Sequence, residues 1–242
     1  MIGTIFNVVG ILIGGLLGLT TKKTLSPAAE AQLKIILAAL TVFFGLRLTW
    51  LSLSGPMLLL LKQGVIIILS LILGKLTGKL LRLQKFSNRL GQYAHQRIIA
   101  AQSSPAHPAS DGFTPCAVLF CAAPLGIIGA IQDGLSQTGF FYPLLIKAVI
   151  DGLASLGLVR VLGWGVLLSA IPVLALQGTI TLACSHLLGP FLAARGLLDS
   201  INAVGGLLLF SIALVMLGLK RIELTDYLPS LIFGPMLTWL WR

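Results

Sequence analysis

Charged residues are scarce in this chain: Asp, Glu, Lys and Arg make up only 10% of its 242 residues, against about 25% in a typical soluble protein. Hydrophobic residues make up 57%, and the mean hydropathy is +1.00. This composition excludes a soluble domain of useful size. It predicts one all-α polytopic membrane domain over residues 1–242, because an isolated helix satisfies its own backbone hydrogen bonds in lipid.

Cysteine and histidine are also rare, with three of each. The cysteines lie within apolar runs, and their spacing matches neither a disulfide framework nor a zinc site. The histidines are scattered, and no serine is accompanied by a base at a spacing typical of nucleophilic catalysis. We therefore expect no metal site, no cofactor and no catalytic residues, and we expect that the chain is not an enzyme.

Acidic residues are the scarcest charged type: there are seven, against 17 Lys and Arg, which gives a net charge of +10. If the N-terminus lies outside, twelve of the 17 basic residues lie on the cytoplasmic side, as the positive-inside rule requires. The excess positive charge therefore indicates topology and a lipid bilayer as partner. It does not indicate nucleic acid, because interleaved aromatic residues are missing.

Long apolar windows predict a transmembrane helical bundle of about seven spans. The first 20 residues form one window, and the others centre near Ala39, Leu71, Leu125, Asp151, Leu176 and Leu208. The C-terminal hydrophobic segment, 227–241, is shorter and is interrupted by Pro229, Gly234 and Pro235. Its sequence leaves open whether it crosses the membrane or re-enters.

One segment, residues 80–112, does not fit the pattern of spans. Its first part places leucines and Phe86 among basic residues, which is typical of an amphipathic helix on the cytoplasmic membrane surface. Its second part is rich in Ser, Pro and Ala, which is typical of a loop. The segment is expected to join a three-span first part of the chain to a larger second part.

Two Asp-Gly-Leu triplets lie inside predicted spans and contain Asp133 and Asp151. A carboxylate in the middle of a membrane costs roughly 2.5 to 3.5 kcal/mol, so it usually has a partner or a function. Lys147 precedes Asp151 by one helical turn, at a spacing that lets the two side chains meet. Gln177 follows Pro172 and precedes Gly178, a combination that predicts an interrupted helix with free carbonyl groups.

These polar residues support two interpretations. In the first, Asp133, Asp151 and Gln177 line a polar cavity that binds a cation or a small solute, and the two carboxylates face each other across adjacent antiparallel helices. The candidate binding residues are Asp133, Asp151, Gln177, Lys147, Asn7 and Asn202. In the second, Lys147 and Asp151 form a structural ion pair, and the amides only link helices.

Glycines at four-residue spacing line one face of the first span: Gly10, Gly14 and Gly18. Such a face allows another helix to approach closely. It predicts either a contact within the chain or the interface of a homo-oligomer.

Several segments resemble a known family: GTIFNVVGILIGGLLG, GFTPCAVLFCAAPLGIIGAIQDGL, KAVIDGL, LALQGTITL and INAVGGLLLF. They are similar to the bacterial inner-membrane family of unknown function numbered 554, the YqgA-like proteins. The resemblance covers nearly the whole chain, and its motifs include most of the polar positions named above. It implies a multi-pass protein of the bacterial inner (plasma) membrane that acts as a transporter or channel, without an agreed substrate.

The sequence leaves three functions open. The first is an ion-coupled transporter or ion-binding permease that uses the buried carboxylates. The second is an oligomeric ion channel in which the aspartates line the pore. The third is a membrane scaffold or partner subunit whose working surface is the basic amphipathic segment.

Overall fold

The computed structural model describes residues 1–21, 26–103, 112–136 and 139–241, and every regular element in these ranges is helical. The helices are α1 (Ile2–Thr20), α2 (Pro27–Leu51), α3 (Met57–Leu80), α4 (Leu83–Ser103), α5 (Phe113–Ala122), α6 (Pro124–Leu135), α7 (Tyr142–Leu162), α8 (Gly165–Leu168), α9 (Ala170–Ala183), α10 (Gly189–Ala194), α11 (Leu198–Met216) and α12 (Ser230–Leu240). A π-helical segment, Cys184–Leu188, links α9 to α10, and a 3₁₀ turn, Leu224–Tyr227, precedes α12. The predicted helical bundle is confirmed.

Five helical segments of the described chain are long and apolar enough to cross a membrane, and the bent pair α5–α6 makes a possible sixth. The five are α1, α2, α3, the continuous stretch Gly165–Ala194, and α11. The helix α7 is not among them, so the count of seven spans stays a prediction. Each predicted window nevertheless falls on helical residues, and the window near Leu125 is divided between α5 and α6.

The C-terminal segment returns alongside α3. A Cβ placed on Gly74 would meet the Ser230 backbone at 2.5 Å, and the backbone of Asp226 lies against Gly78. At the other end of α3, Lys62 donates a hydrogen bond to the carbonyl oxygen of Trp241. The segment therefore runs antiparallel to α3 from Asp226 to Trp241 and does not fold back on itself.

Local sequence signals explain where several helices begin and end. The Ser26 hydroxyl accepts a hydrogen bond from the Ala29 N–H at 3.2 Å, and Pro27 occupies the first turn of α2, where a missing N–H costs nothing. The helix α7 ends at Gly163, whose φ of 73° is unfavourable for residues with a side chain. These caps fix the helix register that positions the polar side chains.

The glycine face of α1 packs against α7 of the same chain. A Cβ on Gly10 would lie 2.5 Å from the Ala148 carbonyl oxygen, and one on Gly14 would overlap the Gly152 carbonyl oxygen. In the reverse direction, a Cβ on Gly152 would lie 2.8 Å from the Gly10 carbonyl oxygen. The two backbones therefore touch, and this face serves packing within the chain.

We expect Gly14→Ala to destabilise the protein because the added methyl group has no space between α1 and α7. The loss is expected to be about 1 to 3 kcal/mol, as for overpacked cores, and thermal unfolding in detergent measures it. Gly157→Ala is the matched control, since a Cβ there meets no atom of the described residues within 4 Å and alanine favours the helix. Equal melting temperatures for the two variants would contradict the close contact.

The helical interruption lies between α5 and α6, which meet at 60°. Ala123 is extended, with φ −68° and ψ 123°, because the residue before a proline avoids the α region. The predicted interruption at Gln177 is wrong: α9 is continuous from Ala170 to Ala183. Pro172 is the third residue of that helix, within the first turn, where proline is tolerated.

The amphipathic segment forms α4, which begins three residues after α3 ends. Arg82 makes the turn between the two helices with a φ of 57°. The backbone N–H of Gln84 donates to Asp226 Oδ1 at 2.7 Å, which ties α4 to the turn before α12. Residues 104–111 of the predicted loop lie outside the described part of the chain, and the location of α4 at a membrane surface stays a prediction.

Candidate functional site

A buried ion pair lies near the middle of α7. Lys147 Nζ is 2.9 Å from Asp151 Oδ1 and 2.7 Å from Asp151 Oδ2. Lys147 is 2% exposed and Asp151 is 4% exposed, so water screens neither charge. The contact that the one-turn spacing predicted is confirmed. A buried pair of this kind compensates part of the desolvation cost of both ions.

Two amide side chains from distant parts of the sequence lie beside this pair. Asn7 of α1 donates from Nδ2 to Gln177 Oε1 of α9 at 3.2 Å. Asn7 also lies within hydrogen-bonding reach of the Asp151 carboxylate. Asn7, Lys147, Asp151 and Gln177 are called the central cluster below, and all four are buried.

Hydrogen-bonding capacity in this region is left unused. Among the described residues, Asn7 Oδ1 and Gln177 Nε2 are buried and have no hydrogen-bond partner, and neither does the hydroxyl of Ser155, one turn after Asp151 on α7. An unsatisfied buried polar group costs about 1 to 3 kcal/mol. The cluster thus retains one free acceptor and one free amide donor, together with a hydroxyl, which is what a small polar ligand or bound water needs.

The interrupted helix pair adjoins the central cluster. A Cβ on Gly126, in the first turn of α6, would lie 2.8 Å from Lys147 Cε and 3.1 Å from Gln177 Nε2. Cys121, at the end of α5, is close enough for its thiol to interact with the charges of Lys147 and Asp151. The interruption at Ala123 lies between these two residues in the chain, so it lies beside the cluster.

Polar side chains connect the central cluster to the N-terminal end of α1. Thr4 and Thr181 are both fully buried, and their hydroxyl oxygens are 3.3 Å apart. Thr181 also donates to the Ala130 carbonyl oxygen at 3.2 Å. Because Thr4 precedes Asn7 and Thr181 follows Gln177 by about one turn, the threonine pair lies one turn above the amide pair.

Asp133 lies beside the start of α1, beyond the threonine pair. Its Oδ2 accepts a hydrogen bond from the Gly3 N–H at 3.2 Å and is 3.3 Å from the amino group of Met1. A carboxylate at the first turn of a helix stabilises the positive end of the helix dipole. Asp133 thus holds the start of α1. We call Asp133, Thr4, Thr181 and the central cluster together the polar column.

The structure does not bring Asp133 and Asp151 face to face. Gly126 of α6 is level with Lys147, and Gly129 is level with Leu144. Since the two helices are antiparallel, Asp133 lies beyond the start of α7, more than two turns from Asp151. The prediction that the two carboxylates face each other is wrong: Asp151 pairs with Lys147, and Asp133 contacts the start of α1.

Asn202 lies elsewhere in the bundle. It is half-buried on α11, a helix that packs mainly against α2. Close contacts join the two helices through Gly45 and Gly206, and Thr49 donates to the Ala203 carbonyl oxygen at 3.2 Å. Asn202 therefore does not join the central cluster with Asn7, despite the similar sequence context of the two residues.

Sequence reasoning missed Thr4, Thr181, Ser155 and Gly126. The first three carry a detectable signal, because each lies three or four residues from a polar residue already identified on the same helix. Gly126 carries no such signal. It matters because α6 crosses α7 and α9 at this point, and any side chain on residue 126 would collide with Lys147 and Gln177.

The fold and the buried polar groups define a helical polytopic membrane protein. The chain belongs to the family described as protein of unknown function (DUF554), whose model matches residues 2–239. It is 30% identical over 244 aligned residues to the uncharacterized protein YqgA of Escherichia coli (strain K12), with coverage of 100% of this chain and 97% of that protein. It is 27% identical over 237 residues to the uncharacterized membrane protein YdfK of Bacillus subtilis (strain 168), with coverage of 98% and 95% respectively. No solved structure matches the chain.

Proposed function

We propose that the protein is a transporter that binds a small polar solute at the central cluster and couples its movement to protonation of Asp151. The observation that carries this proposal is the set of unused hydrogen-bonding atoms, Asn7 Oδ1 and Gln177 Nε2, beside a buried ion pair. A purely structural pair gains nothing from unpaired neighbours, since each one costs stability. A ligand that offers both a donor and an acceptor removes that cost.

A proton is the coupling ion that this arrangement favours. Lys147 already neutralises Asp151 at 2.7 Å, so a metal cation bound to the carboxylate would have to displace the ammonium group. A proton on Asp151 neutralises the acid and releases Lys147 without a second ion in the site. The freed ammonium group is then available to a solute acceptor, and deprotonation restores the pair.

The shape of the site favours a carrier over an open channel. All four side chains of the central cluster are at most 4% exposed, which corresponds to an occluded conformation. The interruption at Ala123 supplies a hinge next to the cluster, since transporters commonly build their sites from discontinuous helices. The polar column offers a route to the N-terminal end of α1, the end proposed to face outward from a bacterial inner membrane.

The test is ligand binding by the purified protein in detergent. Amino acids, nucleosides, sugars and the chlorides of sodium and potassium are added one at a time, and the melting temperature is recorded. A solute at about 100 times its Kd stabilises by about 2.7 kcal/mol, and a shift of several degrees is expected at pH values where Asp151 gains its proton.

Gln177→Leu is expected to abolish that shift, because leucine keeps the volume and removes the amide. Gln63→Leu is the matched control: Gln63 is a half-buried glutamine on α3 that donates to the Ser54 carbonyl oxygen, away from the central cluster. A solute that stabilises both variants equally binds somewhere else, and the assignment of the site then fails.

A further inference from the structure

A cavity lined by several basic residues lies where α3, α4 and α11 meet. Its volume is about 690 Å³, and it lies between α3, α4, the end of α11 and the turn before α12. Lys75, Lys220 and Arg221 line it, with Glu223 as the acidic residue among its lining groups. The cavity therefore has an excess of positive charge.

The three cations are free to meet a ligand. They are exposed, and among the described residues no carboxylate lies within salt-bridge distance of them. Lys75 Nζ lies 5.4 Å from the centre of the Tyr227 ring, which orients its ammonium group at the cavity wall. A guanidinium and two ammonium groups at one cavity match the several oxygens of a phosphate group.

Part of the cavity wall is apolar, and the uncharged polar residues that line it include Gln84, Asn88 and Ser211. Leu71, Leu208 and Leu214 line the part that faces the bundle. Leu217 and Leu219, just before the two cations of the loop, are 38% and 70% exposed. A sequence that passes from exposed leucines to exposed cations is typical of the boundary between acyl chains and headgroups.

We infer that this cavity binds the headgroup phosphate of an anionic phospholipid, with an acyl chain along the leucines. A free phosphate ion would use the cations but not the apolar wall, so the amphipathic lining favours a lipid. Basic pockets between helices on the cytoplasmic side of membrane proteins recognise such headgroups. The inference does not depend on the proposed transport function, because no member of the central cluster lines this cavity.

The test uses the full chain in a neutral detergent, with phosphatidylglycerol added as mixed micelles and phosphatidylcholine in parallel. Phosphatidylglycerol is expected to raise the melting temperature saturably. Each cation near an anionic lipid surface contributes roughly a fivefold factor in affinity, so Lys220→Gln/Arg221→Gln is expected to weaken the effect about 25-fold. Lys75→Gln alone is expected to weaken it about fivefold.

Lys85→Gln/Arg89→Gln is the matched control, because it removes the same charge from exposed positions of α4 that do not line the cavity. It is expected to keep the affinity of the unmodified protein. If the control variant loses as much affinity for phosphatidylglycerol, the lipid is attracted by the basic surface in general and not by this cavity. That result would overturn the inference. Equal stabilisation by inorganic phosphate, or by phosphatidylcholine, would also overturn it, since neither matches an anionic lipid site.

Discussion

Lys147→Met is expected to lower the free energy of unfolding by about 3 to 5 kcal/mol, the cost of leaving a buried charge without its partner. Methionine fills a similar volume but leaves the Asp151 carboxylate, 4% exposed, without the ammonium group and with the uncharged amide of Asn7 beside it. Thermal unfolding in detergent measures the loss, which corresponds to a drop in melting temperature of about 10 °C for a chain of this length.

The double variant Lys147→Met/Asp151→Leu separates the two possible causes of this loss. Replacing both members of a buried ion pair by apolar residues is often neutral or stabilising. The double variant is therefore expected to recover most of the stability that Lys147→Met loses. If it is as unstable as the single variant, the loss comes from packing around residue 147 and not from the unpaired charge.

Asp151→Asn is expected to abolish proton-coupled solute movement. Because it leaves the buried Lys147 charge without a counter-charge, it is also expected to lower the free energy of unfolding, so the variant is reconstituted only after its folded fraction is isolated. The amide keeps the size of the carboxyl group and an oxygen that accepts from Lys147, but it takes up no proton in the physiological range. Proteoliposomes containing a pH-sensitive dye record the change in internal pH when the solute identified by the binding screen is added. The rate for Asp151→Asn is expected to equal that of liposomes without protein.

Asp199→Asn is the control for this measurement. Asp199 is also a carboxylate on a long apolar helix, but it is exposed and lies near the start of α11, outside the polar column. Its replacement is expected to leave the coupled rate unchanged. If Asp151→Asn transports at the normal rate with the normal proton movement, Asp151 is not the coupling residue.

Part of the site could be predicted from sequence because the contact is local. Lys147 and Asp151 are one turn apart on a single helix, so their meeting follows from helix geometry alone. The position of the helices could also be predicted, because apolar windows separated by Gly, Pro and charge are strong signals. The glycine spacing in α1 also predicts close packing against another helix, but it does not indicate that this helix is α7.

The contact between Asn7 and Gln177 could not be predicted, because it joins residues 170 positions apart through the packing of α1 against α9. The helical interruption lies between α5 and α6 and not at Gln177, because the effect of a proline depends on its position in the helix. Pro172 falls in the first turn of α9, where it is harmless, whereas Pro124 follows an extended residue and separates two helices.

In the proposed mechanism, the Lys147–Asp151 pair opens when Asp151 takes up a proton. Infrared difference spectroscopy of the lipid-reconstituted protein during an acid titration, with Asp151→Asn as the reference, tests it most directly. We expect the C=O stretch of a protonated carboxylic acid to appear in the unmodified protein, to change when the solute binds, and to be missing in the variant. An Asp151 that remains a carboxylate at every pH where the protein is folded, while the solute still binds, would contradict the account and leave the pair as a structural element alone.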